Sequence, residues 1–353
     1  MAISDGRPSC HANRTRDAGG IILGIESTAH TFSVGFVDGL GVPGPSESAF
    51  VRPVEGGIHP REAADHHAKN AGDILKRFFN NNGVSRDDIV AVAFSQGPGL
   101  GPCLRIGASV ARSISIELQV PLIGVNHCVA HIEVGREQCD CDDPVLLYVS
   151  GGNTQVIARL DGRYRVLGET LDIGIGNMLD KFAREHDIPF PGGPEVERLA
   201  NQWIEENPNP SLKGLELPYA VQGMDLAFSG ILNAALKLVE RGNPLPAVCW
   251  SLQEHAFAAC VEVAERAMAH SGKNEILLGG GVACNSRIRQ MTDVMANSRG
   301  GEAFVPPRSL CIDNGSMIAT LGRLQLLWGS PTPIDDSSVR QELRTDETDI
   351  LWH

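Results

Sequence analysis

Residues 21–39 read IILGIESTAHTFSVGFVDG, and residues 144–162 read PVLLYVSGGNTQVIARLDG. At one constant offset Ser27 falls on Ser150, Thr31 on Thr154, Asp38 on Asp161 and Gly39 on Gly162. Each segment is an apolar strand, a tight turn of small polar residues, a second apolar strand and an Asp-Gly turn. A unit of this length repeated once points to two related halves.

The halves stay parallel further out. A strand at 89–95 (IVAVAFS) runs into the glycine loop QGPGLGPC, and a strand at 275–279 (EILLG) runs into GGGVACN. A helix follows each loop, at 104–118 and 285–297, and each half ends in a helix with polar residues near its start, at 126–135 and 311–324. Apolar spacing predicts further helices over 59–79, 174–186, 195–204, 228–241 and 246–270; Pro60 suits a first turn. The proline- and glycine-rich stretch 206–224 reads as a surface loop and EQCDCDD (137–143) as a short acidic linker. The expected organisation is a disordered extension over 1–19, a first lobe over 20–140 and a second over 141–312. A C-terminal helix over 313–328 is expected at the lobe interface, followed by a tail over 329–353. Duplicated strand-turn-strand units with small polar turns resemble the actin, hexokinase and Hsp70 superfamily. That resemblance implies an α/β fold of two lobes with mixed sheets and a central cleft, whose turns cradle phosphates through backbone N–H groups.

Composition narrows the chemistry. The chain has 353 residues, 42% of them hydrophobic, enough to bury a sizeable core. No apolar run reaches the roughly 18 residues of a membrane helix. The polar first nineteen residues lack the apolar centre of a secretory signal. Nine cysteines without a C-x-x-C pair fit a reducing cytoplasm better than a disulfide scaffold. Thirty basic against 43 acidic residues give a net charge of −13. A nucleic-acid substrate would therefore need partner subunits to supply much of the positive surface.

His127 and His131 stand four residues apart on a predicted helix, which puts both imidazoles on one face. They can hold a metal or be a packed pair. Position 128 is Cys, so the glutamate of a zinc-protease HExxH helix is missing. Asp313 could supply a carboxylate oxygen or cap its helix; Tyr148 could supply a phenolic oxygen or belong to the core. Two histidines, an aspartate and a tyrosine suit iron or zinc. Ser150, Gly151, Gly152 and Asn153 form the second turn, where glycine lets N–H groups approach an anion. Gly279, Gly280 and Gly281, with Asn285 at a helix start, would wall the second lobe. Asp180 and Glu197 could bind ribose hydroxyls or merely face solvent.

The strings GIESTAHT, HPREAADHH, SQGPGLGPCLRIG, VNHCVAHIEVG, YVSGGNTQV, ETLDIGIGNMLDKFAR, FSGIL, GGGVACNSRI and CIDNGSMIA, spread from Ile21 to Leu327, resemble the tRNA N6-adenosine threonylcarbamoyltransferases. These were once labelled O-sialoglycoprotein endopeptidases. VNHCVAHIEVG and ETLDIGIGNMLDKFAR resemble the archaeal and eukaryotic branch, whose members are catalytic subunits of the KEOPS complex. The resemblance implies transfer of threonylcarbamoyl from threonylcarbamoyl-AMP to N6 of the adenosine beside the anticodon, in tRNAs reading codons that begin with A. It also implies partner subunits that include an atypical small kinase and a dimerisation subunit, and no membrane. His127, His131, Tyr148 and Asp313 would hold one divalent metal, Fe2+ before Zn2+. Tyr148, Val149, Ser150, Gly151, Gly152, Asp180, Gly193, Glu197 and Asn285 would hold the adenylate. No general base is assigned. The rival readings are a kinase or ATPase of the same superfamily, a metallopeptidase, and a non-catalytic scaffold.

Overall fold

The computed structural model describes residues 16–51 and 59–352, which divide into two compact units. Unit 1 takes the chain up to Asp142, the short stretch Asp161–Tyr164 and everything from Ile312 onward; unit 2 takes Asp143–Leu160 and Arg165–Cys311. Residues 1–15, most of the expected disordered extension, lie outside the described residues. Residues 16–19, expected in the same extension, are instead tied to unit 1. The Ala18 N–H donates to the Gly39 carbonyl at 3.0 Å, and the Arg16 guanidinium lies 4.2 Å from the Trp328 ring centroid.

Unit 1 is built on a five-stranded sheet of β1 (Ile21–Glu26), β2 (Thr31–Val37), β3 (Glu47–Phe50), β4 (Ile89–Gly97) and β5 (Leu122–Asn126), in the order β3-β2-β1-β4-β5. β1, β2 and β3 run antiparallel in turn, while β4 and β5 are parallel to β1. Parallel neighbours need crossovers, and α1 (Pro60–Asn82) and α2 (Gly101–Leu118) supply them. Pro60 opens α1, and Gly83 at φ +64° closes it as a left-handed cap. Leu23, Ile25, Val92 and Phe94 form one core with Ile74 and Phe78 of α1 and Ala108 of α2. Phe78 and Phe94 are wholly buried, each contributing about 1.5–3 kcal/mol of transfer free energy. After β5 comes α3 (His127–Cys139), capped by the Asn126 side chain, which accepts from the N–H groups of Cys128 and Val129.

Unit 2 repeats this sheet strand for strand. β6 (Val145–Val149), β7 (Thr154–Leu160), β8 (Arg163–Glu169), β11 (Glu275–Gly279) and β12 (Glu302–Phe304) lie in the order β8-β7-β6-β11-β12. β6 is antiparallel to β7 and parallel to β11, as β1 is to β2 and β4. Between β8 and β11 run α4 (Ile175–Arg184), α5 (Gly193–Glu206), the small β9–β10 hairpin (Val221–Gln222, Asp225–Leu226), α6 (Ser229–Glu240) and α7 (Leu245–Ser271). α8 (Ser286–Ser298) and the short α9 (Arg308–Cys311) flank β12. The stretch 206–224, expected as a surface loop, has no helix beyond Glu206, yet Leu215, Leu217, Ala220 and Val221 are buried in the unit 2 core. Its apolar residues anchor a connection that its prolines and glycines keep irregular.

The last helix, α10 (Gly315–Trp328), belongs to unit 1 and packs on β1, β2, β4 and β5. It lies on the sheet face opposite α1 and α2. Glycine makes the approach possible: a Cβ added at Gly24 would land on the Gly315 carbonyl and 2.5 Å from the Ala319 nitrogen. The segment after α10 straps the same unit. Thr332 bonds Leu122 and Gly124, Arg112 donates to the Ser337 hydroxyl at 2.7 Å, and the Arg340 N–H reaches the Gln96 carbonyl at 2.8 Å. The Arg344 carbonyl accepts from Asn126, the residue that caps α3.

Candidate functional site

Three ligand atoms, from His127, His131 and Asp313, lie within 4.8 Å of one another in unit 1. α3 supplies the histidines: His127 opens it, and one turn later His131 sits with its ring centroid 4.8 Å away in an edge-to-face arrangement. Asp313 stands just ahead of α10. The capping role open to it in the sequence is taken by Asn314, whose side chain accepts from the Met317 N–H. Asp313 Oδ1 is therefore free to face Nε2 of His131 at 3.2 Å and Nε2 of His127 at 3.6 Å.

Glu26 completes this arrangement and is not among the residues the sequence singled out. It ends β1, is fully buried, and accepts from Nδ1 of His127 at 3.0 Å. Its other oxygen accepts from the Thr28 N–H at 2.6 Å and the Thr28 hydroxyl at 2.5 Å. A carboxylate on Nδ1 fixes the ring and leaves Nε2 to point at a ligand. Burial disfavours the His127 cation, but Glu26 and Asp313 outweigh it and raise the pKa to about 9. Burial and the neighbouring His127 lower His131. Burial works against the Asp313 carboxylate, yet His127, His131 and His30 together hold it well below the usual carboxylate range.

Two imidazole nitrogens and a carboxylate oxygen converging in a buried site form a borderline N/O donor set, which fits Fe2+ or Zn2+. No glutamate follows His127, where a zinc-protease helix would have it. The Cys128 thiol between the histidines is buried, which pushes its pKa up to about 12 against a bond to Thr345. It cannot activate water as a zinc-protease glutamate does. α3 is also anchored at its far end. Tyr164 donates to buried Glu133 at 2.5 Å, and Arg136 bridges Glu133 at 2.7 Å to the Asp142 carbonyl.

Unit 2 brings together the other residues. Tyr148 and Val149 end β6, both buried. The turn after them closes on itself, the Ser150 N–H donating to the Asn153 carbonyl at 2.8 Å. Gly280 runs against this turn at φ +90°, and a Cβ there would sit 2.7 Å from the Val149 carbonyl carbon. Gly174 and Gly176, at the start of α4, press equally close on Gly151 and Gly152. Asp180 of α4 accepts from the Gly192 N–H at 2.7 Å, which fixes the start of α5 at Gly193. Glu197 of α5 accepts from the Ser286 N–H at 2.7 Å and its hydroxyl at 2.5 Å. Asn285 caps α8 and donates to Gln253 at 2.6 Å. A cavity of about 430 Å³ opens beside Ser286, lined also by Ile204, Trp250 and the ion-paired Glu254 and Arg287.

Two α/β units with matching strand orders define an actin-like protein, and solved structures agree. The chain is similar to HypF of T. kodakarensis (TM-score 0.60, 14% identity, 92% of this chain and 49% of that one). It is similar also to the activator of the 2-hydroxyisocaproyl-CoA dehydratase from Clostridium difficile with bound ADPNP (TM-score 0.53, 11% identity, 87% and 96% covered). The family profile TsaD, tRNA N6-adenosine threonylcarbamoyltransferase, matches residues 46–320. The chain belongs to this family. It is 50% identical over 336 residues to the tRNA N6-adenosine threonylcarbamoyltransferase of Thermococcus gammatolerans, covering 94% of this chain and 99% of that one. It is 51% identical over 333 residues to a probable bifunctional tRNA threonylcarbamoyladenosine biosynthesis protein of Methanoculleus marisnigri, spanning 94% of this chain but only 60% of that relative.

Proposed function

We propose that this chain transfers the threonylcarbamoyl group of threonylcarbamoyl-AMP to N6 of the adenosine beside the anticodon, in tRNAs that read codons beginning with A. The observation that carries the reading is the His127–His131–Asp313 cluster backed by Glu26, in a chain of this family. His127, His131 and Asp313 would hold one divalent metal, Fe2+ before Zn2+. When bound there, such a metal would supply Lewis acidity. Glu26 orients His127 for that task.

The adenylate falls to unit 2. The turn from Val149 through Gly152 would meet its phosphate, and Asp180, Gly193, Glu197 and Asn285 would meet its nucleoside. The donor is a mixed anhydride and already activated, so alignment dominates the chemistry. The adenosine amine attacks the carbamoyl carbon, its bond to phosphate oxygen breaks, AMP departs with the electron pair, and N6 loses a proton. A net charge of −13 supports tRNA capture shared with partner subunits. We place the chain in a cytoplasmic KEOPS-type complex with a small atypical kinase and a dimerisation subunit.

Reconstitution tests this. The chain is combined with a threonylcarbamoyl-AMP synthase, ATP, threonine, bicarbonate and a suitable tRNA, with and without partner subunits. Threonylcarbamoyladenosine in digested tRNA is the expected product. Its absence under every combination, or rapid sugar-dependent ATP turnover without tRNA, would defeat the reading.

A further inference from the structure

Gln253 is a carboxamide set in the apolar interior of α7, 2% exposed beside Leu252, Ala256 and Phe257. Burying an amide is costly unless both its ends find partners. Its Oε1 accepts from Asn285 Nδ2 at 2.6 Å. The backbone fixes which way round both amides lie. Asn285 Oδ1 accepts from the Arg287 N–H at 2.8 Å in capping α8, so Nδ2 is the end that reaches α7. An NH2 group needs an acceptor, so Gln253 turns Oε1 toward it and Nε2 is the end left over. Among the described residues nothing accepts from Gln253 Nε2, and unlike the Trp203 indole nitrogen it is not sealed from solvent. Buried hydroxyls of the same unit close on backbone instead: Ser251 donates to the Leu215 carbonyl at 2.5 Å and Thr292 to the Ile288 carbonyl at 2.8 Å. The cavity described above lies beside the amide pair, since Trp250 and Glu254 of α7 and Ser286 and Arg287 of α8 line it. The ion pair there is already satisfied: Arg287 Nε and Nη2 take both Glu254 oxygens, at 2.6 and 2.7 Å, and Nη1 donates to Gln290.

We propose that Gln253 reads the base of the bound nucleotide, its Nε2 donating to a ring nitrogen of adenine. The inference rests on the adenylate placement of the proposed function. Polarity makes the match. Ribose hydroxyls can donate to the carboxylates of Asp180 and Glu197. A group that can only donate is paired instead with an atom that can only accept, and the adenine ring supplies such atoms at N1, N3 and N7. The Gln253 amide cannot turn over without setting its NH2 group against that of Asn285, so it offers the base donors alone. Gln253 is therefore a specificity residue, and Asn285 is the positioning residue that sets its orientation.

The test titrates the full chain with adenosine and with its 1-deaza, 3-deaza and 7-deaza analogues. Each analogue replaces one ring nitrogen by C–H. One of them should bind the native chain about tenfold more weakly than adenosine, the loss expected when a buried donor is left unpaired. Q253M keeps the length of the side chain and removes both polar ends. In that variant adenosine should weaken about tenfold, and the same analogue should bind no worse than adenosine. A Gln253 that only supports the fold would weaken adenosine and every analogue alike and preserve the gap. That result overturns the assignment, as does a native chain that treats all these nucleosides equally, a measurement that needs no variant to fold. AMP and adenosine should lose affinity in Q253M by the same factor, because the acceptor is on the base; a loss confined to AMP also overturns it. A native chain that binds neither AMP nor adenosine defeats the adenylate placement itself, and the role of Gln253 falls with it.

Discussion

Zinc binding to the chelated protein should expel about one proton at pH 7.5, and E26Q should remove most of that release. In the metal-free site His127 is the group that carries the proton, with its pKa at about 9. His131 is lowered and Asp313 is held ionised, so neither has a proton to give. Glu26 occupies Nδ1 of His127, so a metal must take Nε2 and displace the proton there. At pH 7.5 a group of pKa about 9 is ~97% protonated, and removing its proton costs about 2 kcal/mol, or roughly thirtyfold in affinity. The sign follows: because the pKa is raised, metal affinity falls as pH drops below about 9, approaching tenfold per pH unit. In E26Q the amide oxygen can still accept from Nδ1, but the charge is gone. The His127 pKa returns toward its ordinary 6.5 and proton release at pH 7.5 falls to about 0.1. Losing this supporting carboxylate costs about 10–100-fold in metal affinity, partly offset because no proton need be expelled. Titration calorimetry in two buffers of different ionisation enthalpy counts the protons directly. Release near zero in the native chain would refute the reasoning, as would an E26Q variant that still releases a full proton.

Other perturbations reach other parts of the molecule. G24A places a methyl 2.5 Å from the Ala319 nitrogen, so α10 must lift; overpacking of this kind costs about 1–3 kcal/mol. Thermal unfolding should shift down, zinc affinity should drop because Asp313 leads into α10, and an unchanged melting curve would count against the glycine-bedded helix. Y164F removes a donor from buried Glu133 and should cost about 1–3 kcal/mol in urea unfolding. E197Q weakens the grip on Ser286; since hydrogen bonds to charged groups contribute about 1.5–3 kcal/mol, AMP affinity in a fluorescence titration should fall about tenfold.

The duplicated strands were legible because strand, turn and Asp-Gly pattern coincide in both halves, and β1 and β2 fall within residues 21–39 as β6 and β7 fall within 144–162. β3 and β12 escaped notice because they are short edge strands with no buried face to impose alternation. The histidine pair was visible from helical spacing, since α3 keeps both rings on one side. Asp313 was legible by position as either a ligand or a cap, and only the resemblance chose between them, because a carboxylate ahead of a helix looks like a cap until Asn314 is seen in that role. Glu26 did leave a trace. The repeat sets it against Val149, so a charge stands where the other half keeps an apolar strand residue, and only a buried partner stabilises that exchange.

Unit 1 is discontinuous in the chain, and this has a consequence for synthesis on the ribosome. Its first 142 residues emerge with β1 and β2 exposing the face that α10 will cover, and with two histidines that still lack Asp313. Unit 2 is complete in sequence once Cys311 has emerged, so it can fold while the first half waits. The last 42 residues then close the waiting sheet, cap the start of α3 from behind and deliver the third ligand together. A nascent or truncated chain that ends before Asp313 therefore lacks one of the three groups of the candidate metal site.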